Sequence, residues 1–99
     1  RLIMQTIVTP TDTELAVRAR EIAEARYSIA LSDPELVHMG RIQSAACERA
    51  TLRHLKDIRL MYPMLKAYRH AMSLIDANDF TVIDEMIDNY GRLLGLIPS

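Results

Sequence analysis

"TDTE" at Thr11–Glu14 and "SDPE" at Ser32–Glu35 share one grammar, and it constrains the fold more than anything else in the chain. In each, a hydroxyl residue is followed three positions later by a glutamate. The hydroxyl at a helix N-cap accepts from an orphan backbone N–H, and the glutamate reaches back to the cap's own N–H. Asp12 and Asp33 add negative charge at the positive end of each helix dipole. Pro34 falls in a first turn, where its missing N–H costs nothing. Helix 1 is therefore expected over about 12–31 and helix 2 over about 33–61.

Pro63 cannot donate to a helix ladder, so it is expected either to end helix 2 or to kink it into helix 3, which spans about 63–77. "DAND" at Asp76–Asp79 reads as a turn, with Asn78 or Asp79 capping helix 4. In that helix Phe80, Ile83, Ile87, Tyr90 and Leu94 recur in steps of three and four, which is one apolar face. Gly95 and Pro98 close it. Ahead of Thr11, residues 1–10 are apolar and β-branched enough for a short extended arm. The expectation is an all-α chain: a compact bundle of four helices over residues 11–99, with that arm in front.

Composition narrows the function classes. Ninety-nine residues support one core, and 49% hydrophobic with 25% charged residues is the balance of a globular chain. No apolar stretch approaches the roughly 20 residues of a membrane span. A single cysteine leaves no intrachain disulfide and no cysteine-based zinc site, which points to a reducing, cytoplasmic setting.

Net charge is only −1, yet it is unevenly placed. Residues 36–70 carry a net +5, whereas residues 71–99 carry −4. With Arg41 set at 0° and about 100° per residue, Arg59 returns to about 0°, Lys56 and His38 to about 60°, Arg49 to about 80° and Arg53 to about 120°. Five basic residues thus fall within about a third of the circumference of helix 2. Leu52 lies inside that arc, with Ile42 and Leu60 near its edge. A second line, Leu36, Gly40, Gln43, Cys47, Ala50, His54, Ile58 and Met61, is expected to be the seam on the rest of the bundle. On it His54 reads as a satisfied core histidine and Cys47 as a small buried hydrophobe.

Three roles compete for the basic stripe. Its stems can cover the chain's own apolar surface while the heads reach the acids of helix 4. It can anchor a protein interface, where Arg beside buried Leu or Ile is effective. Or it can contact phosphates. A near-neutral chain and the lack of interleaved aromatics weigh against nucleic acid.

Arg26 projects between Leu15, Ala19, Ile22 and Ile29, on the apolar side of helix 1. A buried ion pair and a clamp for a carboxylate are the two roles open to a guanidinium there. "ELVH" at Glu35–His38 has the spacing of a di-iron ligand pair, but no second such pair follows and Glu35 is used by the cap. No metal or cofactor is expected. Nucleophile motifs, glycine-rich phosphate loops and convincing acid–base pairs are absent from the sequence, so no enzyme is expected.

The sequence therefore points to a non-enzymatic binding or regulatory protein, homodimeric, that engages a protein partner through Arg41, Arg49, Leu52, Arg53, Lys56 and Arg59. A nucleic-acid-binding regulator using the same stripe is the alternative.

Overall fold

The computed structural model describes residues 9–75 and 79–98. Every regular element among them is helical: α1 (Asp12–Arg26), α2 (Ser28–Ser32), α3 (Val37–Ser73) and α4 (Thr81–Leu93). The all-α class expected from the sequence is the one observed. Most of the expected arm, residues 1–8, lies outside the described residues, as do Asn78 and the expected end of helix 3 at Ala77.

Two units are resolved within the chain, Thr11–Asp57 and Ile58–Ser99, the second joined by Pro10. In Thr11–Asp57 the first start signal works as written. The Thr11 hydroxyl accepts from Glu14 N–H at 3.2 Å, and the Glu14 carboxylate accepts from Thr11 N–H at 3.2 Å. Leu15, Ala19 and Ala23 follow at steps of four and are wholly buried, a narrow line of one large and two small side chains.

The expected helix 1 is interrupted only at Tyr27, whose φ of −106° and ψ of 20° leave the helical region. Tyr27 N–H still reaches the Ala23 carbonyl at 3.1 Å, and Leu31 N–H reaches Tyr27 at 3.0 Å, so α2 continues the chain's course after one irregular residue. The second start signal fails. Ser32 turns its hydroxyl back to the carbonyls of Ser28 (2.8 Å) and Ile29 (3.1 Å) instead of capping forward. Asp33 takes over: its carboxylate accepts from Glu35 N–H at 2.9 Å, a local turn that Pro34 favours. The chain then turns through residues 34–36 and α3 starts at Val37, four residues later than expected.

Gly40 allows the start of α3 to approach α2. A Cβ at Gly40 would lie 3.0 Å from the Ala30 Cβ and 3.2 Å from the Ala30 carbonyl carbon. Farther along, Arg20 of α1 and Glu48 of α3 form an ion pair at 3.4 Å.

Pro63 does not end a helix. α3 runs unbroken from Val37 to Ser73 with Pro63 inside it, so the expected helices 2 and 3 are one element. The flanking residues explain this: Leu60, Met61, Met64, Leu65, Lys66 and Ala67 are all strong helix formers. One missing donor costs about 3 kcal/mol, which a helix anchored on both sides can absorb. In Ile58–Ser99, Ile58 and Tyr62 precede the proline and are buried. After it, Arg69 donates to the Asp84 carboxylate of α4 at 2.8 Å, and its guanidinium lies 3.6 Å from the centre of the Phe80 ring.

The N-cap position of α4 is Phe80 rather than the expected Asp79, which lies one residue earlier and whose carboxylate accepts from Thr81 N–H at 2.9 Å. It closes in a Schellman motif: Leu96 N–H bonds the Gly91 carbonyl at 2.8 Å, and Gly95 N–H bonds Arg92 at 3.0 Å. Gly95 holds φ at 76°, the left-handed geometry that this stop requires. Gly91 is close-packed, because a Cβ there would sit 3.2 Å from Ile97 and 3.3 Å from the Tyr62 hydroxyl.

Candidate functional site

The candidate site is the outward side of α3 within Thr11–Asp57, and its position follows from which side of the helix is buried. Gly40, Ser44 and Leu55 are buried there, with Cys47 and Thr51 half-buried between them. These five recur in steps of four and three, centred about 60° around the helix from the expected seam. The expected line is corrected accordingly: Leu36, Gln43, Ala50 and His54 are exposed, as is Met61 farther along α3. The physical reason is close approach. Gly40 and Ser44, rather than larger apolar residues, mark where α3 faces its neighbours. His54 is therefore a surface histidine. Cys47 sits half-buried, its Sγ 3.7 Å from the Thr51 hydroxyl.

The basic residues lie on the opposite side. Arg41, Arg49, Arg53 and Lys56 are all exposed, and Leu52 beside them is half-buried. No hydrogen bond or ion pair ties any of those four cations to another described residue of the unit. Glu48, next to Arg49 in sequence, is taken by Arg20. Arg59 departs from the stripe. It belongs to the other unit, is half-buried, and donates from Nη1 to the Pro10 carbonyl at 3.1 Å.

Apolar side chains share this face. Ile42 is 53% exposed and Met39 is 55% exposed, at about 100° and 160° in the frame that puts Arg41 at 0°. Met39 was not picked out from the sequence, although the step of three to Ile42 and of four to Ala46 was available. A surface that joins four unpaired cations to exposed Ile and Met can form charge-assisted hydrogen bonds and bury apolar area in one contact.

Arg26 does not form the buried ion pair that was one of the two roles expected of it. It is the last residue of α1, not a mid-helix core position, and its side chain is exposed. There its positive charge favours the negative end of the helix dipole.

Among the described residues, no group of three or more His, Cys, Asp or Glu is placed to hold a metal ion. No helix of these residues is long and apolar enough to cross a membrane. Among the described residues, the one clear shift in acidity is at Asp79. The hydrogen bond from the Thr81 backbone, and then that from the Thr81 hydroxyl, hold its carboxyl below the usual 3.8. That is a helix-start effect, remote from the basic face in sequence.

Comparison with protein-family models, with curated proteins and with solved structures gave no match.

Proposed function

We propose that this chain is a non-enzymatic binding or regulatory protein, cytoplasmic and homodimeric, that presents the outer face of α3 to a protein partner. The contact residues are Arg41, Arg49, Arg53 and Lys56, with Leu52, Ile42 and Met39 between and beside them.

One observation carries this reading: four cations unpaired within their unit share a helix face with exposed Ile42 and Met39. Cations alone on a helix are an ordinary wet surface. Exposed large apolar residues beside them are what a protein interface covers at its centre, with the charges fixing register and partner choice.

Charge reversal tests it. Arg49→Glu with Arg53→Glu should leave helicity intact, since neither side chain is buried, and should remove a defined set of captured proteins. Identical capture by wild type and variant would contradict the proposal.

A second reading has the same four cations contacting phosphate. Anisotropy with labelled duplex DNA or RNA would then show log affinity falling against log salt with a slope near −3 to −4, about 0.9 per phosphate contact. Met39 and Ile42 favour the protein reading, because phosphates do not reward exposed apolar side chains.

A further inference from the structure

The second unit, Ile58–Ser99, has an exposed face of a different kind. Along α3, Leu60 and Met64 are each 70% exposed, Tyr68 59% and Met61 40%, with exposed Ala67 and Ala71 between them. At about 100° per residue these six occupy an arc of about 120°. From Leu60 to Ala71 that arc holds no charged residue; exposed Asp57, at about 160° on the same projection, bounds it one turn before Leu60. Lys66 lies over the Tyr62 ring at 5.4 Å, and Arg69 is bonded to Asp84, both on the other side of the helix. The outward side of a helix is ordinarily where charge belongs, so a wide uncharged arc is a face made to be covered.

We infer that a second copy of this chain covers it, the two α3 segments crossing antiparallel about a two-fold axis at Met64. This rests on the homodimer part of the proposed function and gives it a surface separate from the basic one. The absence of charge selects the occupant. An uncharged face offers nothing to steer or fix a charged partner, whereas two copies of it meet without like-charge repulsion.

The spacing is also self-complementary. A two-fold axis at Met64 sets Leu60 against the partner copy's Tyr68, Met61 against Ala67, and Met64 against itself. Large side chains thereby meet small or flexible ones. Given these exposures, the four large side chains hold on the order of 500 Å² per chain, or about 1,000 Å² in a symmetric pair, which reaches the lower bound of a specific interface. Leu74 and Ile75, in the turn after the helix, are exposed as well.

Light scattering on an eluting sample tests this with the full chain. The wild type should run at twice the chain mass at both low and high salt, because the face is apolar. Met64→Glu places two carboxylates on the axis and should give a monomer of unchanged helicity. A monomeric wild type at high concentration would overturn the inference, and so would a Met64→Glu variant that stays dimeric. Should Met64→Glu unfold, cross-linking decides. In a Cys47→Ser background, Met64→Cys should form a disulfide-linked dimer on mild oxidation, whereas Glu85→Cys on α4 should not. Equal cross-linking at both positions would count against the two-fold.

Failure here is separable from failure of the partner-binding proposal. Arg49→Glu with Arg53→Glu should leave the dimer intact, and the Met64→Glu monomer should keep its partner-binding face.

Discussion

Replacing Pro63 with alanine should stabilise the protein, and by a margin that reports on the architecture of α3. Pro63 sits inside a helix running from Val37 to Ser73, with ten helical residues beyond it. In such an interior position proline costs about 3 kcal/mol relative to alanine, through its missing N–H and the clash of its ring with the preceding turn. Proline returns some of that by restricting the unfolded chain, about 0.4 to 1 kcal/mol. Pro63→Ala should therefore gain about 2 kcal/mol. Urea unfolding followed by circular dichroism is the assay. With a slope of roughly 1 kcal/mol per molar for a chain of this size, the midpoint should rise by about 2 M at unchanged slope. If Pro63 instead occupied the first turn of a separate helix, its missing N–H would be harmless there. The substitution would then be neutral or mildly destabilising, and that result would refute a continuous α3.

Other consequences are local. Gly40→Leu should destabilise by about 2 kcal/mol, because its Cβ alone would meet Ala30 at 3.0 Å; Gly40→Ala, where helix propensity offsets the squeeze, should lie near zero in a thermal melt. Thr11→Ala removes half of the capping box on α1 and should cost about 1 kcal/mol in the same melt. Asp79 titrates below its ordinary 3.8, so its contribution to α4 is complete above that value and is lost as pH falls through the lower folded-state value. An acid titration of helicity in Asp79→Asn should lack that component; identical acid curves for variant and wild type would contradict it.

Local signals that act within four residues were legible in the sequence. The Thr11 box, the stop at Gly95 and the apolar repeat of α4 stand where the residues put them. Signals that depend on what packs nearby were not. Ser32 has the same sequence context as Thr11, but it follows a helical turn whose carbonyls are within reach, so its hydroxyl bonds backward and Asp33 makes the turn. Pro63 was decided by the strength of the helix on both sides, which no single-residue rule weighs.

The seam on α3 illustrates the same limit at the site. Gly40 and Cys47 lie on both the expected and the observed lines, so periodicity alone could not choose between them. The choice came from close approach at Gly40 and Ala30, which draws Ser44 and Leu55 inward and leaves Ala50 and His54 outside. The basic stripe survived this rotation because its arc lies far from either line. Arg59 left it through a bond to Pro10, a residue 49 positions away, and Arg26 lost its core setting because α1 ends there.

The central claim is that the outer face of α3 in Thr11–Asp57 contacts another protein, and site-specific photo-cross-linking tests it most directly. A photoreactive side chain at position 42, in place of Ile42, should yield a discrete adduct with another protein in cells that contain the natural partners, and the adduct should vanish with Arg49→Glu and Arg53→Glu. The same probe in place of Thr13, exposed on α1, serves as the control. Adducts at position 42 no more abundant or specific than those at position 13 would contradict the claim.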